Sequence, residues 1–336
     1  MTYPERPRRA LLLLAAILAA CENGYEPPLS PSQEVQGPAG VTDVCAALES
    51  SAAPPSVKPP GQEVRFFAFG DFGSGSSHQM RVAAAMRQYA ADHPVDFGIT
   101  LGDNFYPSGL ASPTDRRWIR RWEIPYGPLG IRFYATLGNH DYRNSASPAG
   151  EMERSRYSRS WCLSRRFYTY TAGPAQLFAL DTVPIENGEA SAERQLGWLR
   201  QALQQSRATW KIVYGHHPVY TVGEHGGRAG YLPRLREKLL PILKEQRVDV
   251  YLAGHEHDLE ILKPDGGVVF VISGGGGKDL RPLESNRCQA WAASAYGFTV
   301  LEAAGEELSL KFVGADGRRL YEVSWRKGWP PPDCLR

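Results

Sequence analysis

Residues 65–71 read Arg65-Phe66-Phe67-Ala68-Phe69-Gly70-Asp71, a short apolar run that ends in a glycine and a carboxylate. A run of this length, rich in aromatic side chains, is typical of a strand that is buried on both faces. The same pattern, an apolar run followed by Gly and then Asp, Asn or His, recurs four times. It predicts buried strands at Arg65–Phe69, Val95–Leu101, Ile131–Leu137, Trp210–Tyr214 and Val248–Ala253.

Amphipathic stretches separate these strands. They predict helices near Ser76–Asp92, Thr114–Trp122, Ala192–Gln205 and Tyr231–Gln246. Pro241 lies inside the last stretch and predicts a kink or break there. Further short strands, joined in part by Asp-Gly turns, are predicted at Glu260–Lys263, Val268–Ile272, Gly297–Glu302, Glu307–Val313 and Arg318–Trp325. Strands that alternate with helices, followed by a run of strands, indicate an α/β domain with α+β layering.

The predicted strand ends carry polar side chains suited to metal binding. Open α/β sheets place ligand sites outside the carboxyl ends of their strands, and a glycine there lets the backbone approach an ion. Six of the eight histidines belong to these ends or their flanks: His140, His216, His217, His225, His255 and His257. With Asp71, Asp103 and Asn139 they form a nitrogen and oxygen set without thiolate, which favours a pair of borderline ions over a closed structural zinc site.

Five sequence blocks resemble those of the calcineurin-like metallophosphoesterases and occur in the same order. They are Gly70-Asp71-Phe72-Gly73, Gly102-Asp103-Asn104-Phe105-Tyr106, Gly138-Asn139-His140-Asp141, Gly215-His216-His217-Pro218 and Gly254-His255-Glu256-His257. Tyr106, three residues after the second Asp, narrows the resemblance to the purple acid phosphatases. Leu180-Asp181-Thr182 and Glu224-His225-Gly226 resemble the small, tartrate-resistant branch of that family. The resemblance covers roughly residues 63–326.

This resemblance implies a β-sandwich flanked by helices, with a metal site at the carboxyl ends of the strands. By this resemblance, an iron(III) ion is bound by Asp71, Asp103, Tyr106 and His257. A second, divalent ion (iron, zinc or manganese) is bound by Asn139, His216, His255 and the bridging Asp103. His140 and His225 match catalytic residues that contact the phosphate or assist the leaving group. His217 is expected to point away from the ions, because it directly follows a ligand.

The implied activity is that of an acid phosphatase, in which a hydroxide activated by the two metals attacks phosphate monoesters. Phosphorylated small molecules or phosphoproteins are the expected substrates. Two alternatives stay open: a phosphodiesterase on the same scaffold, and a catalytically silent surface lipoprotein that binds phosphorylated ligands. Five arginines after the third block form either a solvated loop or a lid that selects anionic substrates: Arg154, Arg156, Arg159, Arg165 and Arg166.

The N-terminal residues predict export and a lipid anchor. Three arginines precede the apolar run Ala10–Ala20, which is too short to span a bilayer. Leu18-Ala19-Ala20-Cys21 resembles a bacterial lipoprotein signal, so we expect a signal peptide at 1–20 and an extracytoplasmic protein held to a membrane through Cys21. Pro-rich residues 21–62 predict a tether before a domain at 63–336. Intact-mass analysis of the membrane fraction tests this expectation, which an unmodified Cys21 would refute.

Net charge and cysteine count limit the possible binding partners and disulfide pairings. The chain carries 38 basic and 36 acidic residues, a net charge of +2, so its charge does not favour nucleic-acid binding. Apart from Cys21 there are four cysteines, which allow three pairings in an oxidising compartment. We expect Cys162–Cys288 and Cys45–Cys334, with four free thiols as the alternative. The sequence does not indicate an oligomeric state.

Overall fold

In the computed structural model, two β-sheets pack face to face and helices cover their outer surfaces. The structure describes residues 43–50, 53–229, 231–284 and 289–328. The predicted signal peptide and Cys21 lie outside these ranges. Within them, none of the helices is long and apolar enough to cross a membrane.

Fifteen strands are found in the described ranges. In chain order they are β1 (Ser56–Lys58), β2 (Val64–Phe69), β3 (Phe97–Leu101), β4 (Phe133–Thr136), β5 (Trp161–Cys162), β6 (Tyr168–Ala172), β7 (Ala175–Ala179), β8 (Trp210–Tyr214), β9 (Val250–Ala253), β10 (Leu259–Asp265), β11 (Val268–Ser273), β12 (Gln289–Ala293), β13 (Gly297–Ala304), β14 (Glu307–Gly314) and β15 (Arg319–Arg326). One sheet has the order β15-β14-β13-β2-β3-β4-β5, and the other has the order β1-β6-β7-β8-β9-β11-β10-β12.

The described residues contain eight α-helices. They are α1 (Val44–Ser50), α2 (Ser77–Asp92), α3 (Ile124–Tyr126), α4 (Ser147–Arg154), α5 (Val183–Asn187), α6 (Ser191–Gln205), α7 (Pro233–Lys238) and α8 (Leu240–Glu245). A π-helical turn at Ile119–Glu123 precedes α3, and 3-10 turns occur at Gly127–Leu129, Asp141–Arg143 and Glu224–Ala229.

Parallel pairing brings the predicted strand ends to one edge of each sheet. In the first sheet β2, β3 and β4 are parallel neighbours. In the second sheet β7, β8, β9 and β11 are parallel in the same way. Each parallel set therefore ends at a common edge, and the residues that follow its strands lie beside one another.

Two apolar clusters hold the layers together. The larger one contains side chains from both sheets, among them Phe66, Leu301, Ile212 and Leu252, all of them buried. The smaller one lies between the second sheet and α6, where Leu199 packs with side chains of the strands. Removing this apolar surface from water is the main driving force for the layered arrangement.

The main strand and helix predictions are confirmed, with one difference among the helices. The last predicted helix breaks at the expected proline: α7 ends at Lys238 and Pro241 lies in the first turn of α8, where no backbone N–H is needed. The predicted helix Thr114–Trp122 is helical only near its end. Asp115 accepts hydrogen bonds from the backbone N–H groups of Ala111 and Arg117, which favours a turn there instead.

The expected disulfide pairing is wrong. Cys45 bonds to Cys162, with an S–S distance of 2.07 Å, so neither Cys162–Cys288 nor Cys45–Cys334 forms. The bond joins α1 to the edge strand β5, two elements that are 117 residues apart in sequence. Strand β5 has only two residues and no clear pattern, so its position beside α1 could not be read from the sequence. Cys288 and Cys334 lie outside the described residues.

Part of the predicted tether is folded. Within residues 21–62, α1 carries the disulfide and β1 pairs in parallel with β6. Prolines are compatible with a short edge strand such as β1, because its outer side needs no hydrogen-bond donors. The folded region therefore begins before residue 63.

Candidate metal centre

Three residues at the strand ends have an unusual backbone conformation. Asp71 follows β2, Asp103 follows β3 and His255 follows β9, and their φ angles are 57°, 53° and 72°. Residues other than glycine seldom adopt this left-handed region, and such residues cluster at functional sites. The carboxylate of Asp71 accepts the backbone N–H of His255 at 2.8 Å, which links the two sheets. The carboxylate of Asp103 accepts the N–H of His140 at 2.8 Å.

One group of predicted ligands surrounds the hydroxyl of Tyr106. This hydroxyl lies 3.0 Å from Asp71 Oδ1 and 3.2 Å from His257 Nε2. His257 Nε2 is also 3.6 Å from Asp71 Oδ1. The other ring nitrogen, Nδ1, donates to the carbonyl oxygen of Asp279, which leaves Nε2 as an acceptor facing the group.

A second group lies on the other side of Asp103. His216 Nε2 is 3.4 Å from Asp103 Oδ1 and 3.0 Å from Asn139 Oδ1. His255 Nδ1 is 3.1 Å from both His216 Nε2 and Asn139 Oδ1. His216 Nδ1 donates to the carbonyl oxygen of Leu101, so Nε2 is again the acceptor. The structure therefore brings all seven predicted ligands together, in two groups that meet at Asp103.

The chemistry of these groups fits two metal ions. Atoms of Asp71, Asp103 and His216 lie within 4.8 Å of one another, close enough to share a cation. Burial, and next the charge of Asp103, raise the pKa of Asp71 well above its usual value. Burial and the neighbouring imidazoles hold the pKa of His255 well below its usual value. A bound cation would offset the first effect, because it stabilises carboxylates, and the second effect keeps His255 in the neutral form whose lone pair a cation binds.

The two predicted catalytic histidines flank the ligands. His140 Nδ1 lies 2.7 Å from the carbonyl oxygen of Pro107, and its Nε2 is 3.9 Å from Asp103 Oδ2. His225 packs against His255, with ring centres 4.1 Å apart and the rings tilted by 43°. Both positions place an imidazole beside the ligands without making it one of them.

His217 is buried beside the ligands, but a hydrogen bond holds its ring. Thr182 Oγ1 accepts the backbone N–H groups of His216 and His217 at 3.2 and 2.9 Å. Its own proton is then donated to His217 Nδ1, 2.9 Å away. With Thr182 donating, the neutral ring carries its proton on Nε2. The expectation that the ring points away from the ions is wrong, because a nitrogen of His217 lies within 4.8 Å of nitrogens of His216 and His255, and the rings of His217 and His255 are 4.6 Å apart.

Three further residues of the site were not identified from the sequence. Thr182 positions two histidines, as described. Buried Glu256 accepts the backbone N–H of His225 at 2.7 Å and lies 3.2 Å from its Nδ1. Arg281 donates to the carbonyl oxygen of His255 at 2.8 Å and lies 3.0 Å from His225 Nδ1. Thr182 and Glu256 lie in the quoted sequence blocks, whereas Arg281 lies in an irregular loop that shows no motif.

Comparisons with known proteins agree with the fold. The family model of the calcineurin-like phosphoesterases matches residues 64–259. Purple acid phosphatase 7 of Arabidopsis thaliana is 32% identical over 313 residues, which cover 85% of this chain and 93% of the relative. Tartrate-resistant acid phosphatase type 5 of Rattus norvegicus is 28% identical over 306 residues, covering 79% and 91%.

A solved structure shows the same fold. It is that of GAP50, described as the anchor in the inner membrane complex of Plasmodium, with a TM-score of 0.69 and 23% identity. The match covers 79% of this chain and 89% of that chain. The expected metallophosphoesterase fold is thus confirmed. Because the family match spans more than half of the sequence, the chain belongs to the calcineurin-like phosphoesterases, hydrolases of phosphoric ester bonds, and has purple acid phosphatases among its relatives.

Proposed function

We propose that the protein is an acid phosphatase that hydrolyses phosphate monoesters at a dinuclear centre containing iron(III). The position of Tyr106 carries this proposal, because its hydroxyl contacts both Asp71 and His257 within the ligand group. A phenolate oxygen is a hard, anionic ligand that suits a trivalent ion. The similarity to purple and tartrate-resistant acid phosphatases supports the same function.

The ligands divide between two ions. Iron(III) would be held by Asp71, Asp103, Tyr106 and His257, and a divalent ion (iron, zinc or manganese) by Asp103, Asn139, His216 and His255. When bound, such a pair lowers the pKa of water and neutralises charge on the phosphoryl oxygens. Asp103 lies within 4.8 Å of Asp71 in the first group and of His216 in the second, and it is therefore suited to bridging.

His140 and His225 would handle protons and phosphate oxygens. With Nδ1 donating to Pro107, protonation of His140 adds a second N–H at Nε2, on the side of the ring that faces Asp103. His225 in its charged form donates to Glu256 through Nδ1 and offers its other N–H to the substrate. Both roles need a protonated imidazole, so activity is expected at acidic pH.

The test compares hydrolysis of p-nitrophenyl phosphate and bis-p-nitrophenyl phosphate by residues 22–336 between pH 4 and pH 8. We expect a strong preference for the monoester and an acidic optimum, and a loss of about 100-fold or more in kcat for Asp103→Asn. A preference for the diester would instead support a phosphodiesterase. No turnover of either ester by the metal-loaded protein would support a silent binding protein.

A further inference from the structure

A cavity of about 750 Å³ lies between α6 and β6, outside the metal centre. We call it the basic groove and define it by Arg166, Thr169, Thr171, Arg194, Trp198 and Arg207. Four arginines line it, the fourth being Arg165, and its described lining contains no Asp or Glu. A concave surface with charge of one sign attracts ligands of the opposite sign.

The groove follows one face of α6. Arg194, Trp198, Ala202 and Gln205 line it from α6, and their spacing of four, four and three residues places them on one face of the helix. Arg194 and Gln205 are 11 residues apart within α6, so they mark a length of roughly 16 Å at 1.5 Å per helical residue. An extended peptide of about five residues covers this length at about 3.3 Å per residue, and Arg207 lies just beyond the end of the helix.

One end of the groove adjoins the edge of the sheet that carries the metal site. Tyr168, at the start of β6, pairs with Ala179 at the carboxyl end of β7. Thr171 pairs with Gln176, near the other end of β7. The groove along β6 therefore runs from the carboxyl edge of the sheet, near Arg166, to the opposite edge.

Arg166 connects this end of the basic groove to the residues around the metal centre. Its guanidinium lies 3.4 Å from Asp181 Oδ2 and also contacts the hydroxyl of Tyr142. Asp181 immediately precedes Thr182, whose hydroxyl accepts the backbone N–H groups of His216 and His217. A chain lying in the groove thus has one end near the metal centre.

The arginines farther along the groove are available to a ligand. Arg194 and Arg207 are exposed, and neither forms an ion pair with an acidic side chain of the described residues. Phe167 packs against Trp198, with ring centres 5.0 Å apart, and provides an apolar wall between the charged ends. Arginine pairs well with carboxylates, and aromatic side chains are enriched where proteins bind other proteins.

We propose that the basic groove binds an acidic segment of a phosphorylated protein in an extended conformation, so that the phosphorylated residue reaches the metal centre. The length favours an extended chain over a compact polyanion, and the unpaired arginines favour carboxylate side chains. Delivery of a phosphate to the centre rests on the function proposed above, whereas binding of the acidic segment does not.

The binding test uses fluorescein-labelled hexaglutamate, which carries no phosphate, and measures fluorescence anisotropy with the purified protein. Arg194→Gln/Arg207→Gln should raise the Kd about tenfold, because two charge pairs are lost. The matched control is Arg200→Gln, an exposed arginine on another face of α6 that pairs with Glu245. The Kd should stay unchanged in this control. Equal losses in both variants, or no loss in the double variant, would overturn the proposal.

The kinetic test separates substrate binding in the groove from hydrolysis at the metal centre. With a peptide of phosphoserine and six glutamates, the double variant should raise KM about tenfold and leave kcat unchanged. Its KM for p-nitrophenyl phosphate, which is too small to reach the groove, should stay the same. If hexaglutamate binds but neither the phosphopeptide nor p-nitrophenyl phosphate is hydrolysed, the proposed acid phosphatase function is wrong, whereas the proposed binding of acidic segments in the groove is supported. If the double variant hydrolyses both esters with the same KM as the wild type, binding in the groove is refuted and the proposed function is supported.

Discussion

The hydroxyl of Tyr106 lies between a carboxylate and an imidazole in a pocket that is almost closed to water, with the residue 4% exposed. Burial, and next the charges of Asp103 and Asp71, raise the pKa of Tyr106 well above its usual value. The phenol therefore stays neutral and donates to Asp71 unless a cation lies beside it. Binding of the proposed iron(III) would then be coupled to loss of the phenol proton.

Tyr106→Phe should abolish the visible absorption band of the iron-loaded protein, because the band requires a phenolate bound to iron(III). The ring and its packing are kept, so the melting temperature without metal should change by no more than about 2 °C. Absorption spectra and metal content of both proteins check this. A colourless wild type that binds two divalent ions and remains active would contradict the iron assignment while leaving the fold unaffected.

At the level of the elements, α4 contributes a buried side chain that holds two of the ligand-bearing loops in place. Asn104 donates to Glu151 of this helix at 3.0 Å and to Asp141 at 3.3 Å. Asp141 also accepts the backbone N–H groups of Asn104, Phe105 and Gly138. All three polar side chains are fully buried. The network ties the loop with Asp103 and Tyr106 to the loop with Asn139, so the two ligand groups keep their relative position.

The buried network predicts a pH dependence of stability. Burial raises the pKa of Glu151 from 4.5 to about 8, so the folded protein keeps this proton over a range where the unfolded chain has lost it. The unfolded state then binds fewer protons, and the free energy of unfolding should fall as pH rises from about 4.5 to 8. Glu151→Gln, which cannot ionise, should remove roughly 1–3 kcal/mol of this fall.

Urea unfolding of the metal-free protein at pH 5 and pH 8 measures the effect. Glu153→Gln is the matched control, because Glu153 lies exposed on the same helix. The control should retain the pH dependence of the wild type. An equal pH dependence in Glu151→Gln would show that Glu151 is ionised in the folded protein at neutral pH.

At the scale of the whole molecule, the Cys45–Cys162 bond joins the first described helix to the edge strand β5. It closes a loop of 117 residues, which contains the first three ligand-bearing strand ends. Disulfides are usual in oxidising compartments, which fits the proposed export of the protein. The bond constrains the unfolded chain, and loops of this length give a stabilisation of up to about 5 kcal/mol.

Cys45→Ser/Cys162→Ser should lower the free energy of unfolding by about 2–5 kcal/mol, with the melting temperature falling accordingly. Neither cysteine contacts a predicted ligand, so metal content and KM for p-nitrophenyl phosphate should stay the same at 25 °C. Thermal unfolding with and without a reductant gives the comparison. A wild type whose melting temperature does not respond to reduction would show that the bond contributes nothing to stability.

The sequence by itself determined the fold class and the set of candidate ligands. Apolar runs ending in Gly and a polar residue specify buried parallel strands, and parallel strands place their ends at one edge; this reasoning applies to Asp71, Asp103 and His255 without coordinates. Tyr106 and His225 needed the family resemblance, because a single aromatic or imidazole side chain has no pattern of its own. The helix break at Pro241 followed from local chemistry alone.

Only the tertiary structure decided which distant segments meet. The Cys45–Cys162 bond, the contact of Arg281 with His225 and the groove between α6 and β6 join residues whose separation in sequence carries no signal. The proton position on His217 likewise depends on Thr182, 35 residues away. Local patterns specify strands and turns because backbone and burial preferences act over a few residues. Pairings across the molecule depend on how the two sheets pack, and the same local patterns are compatible with several of them.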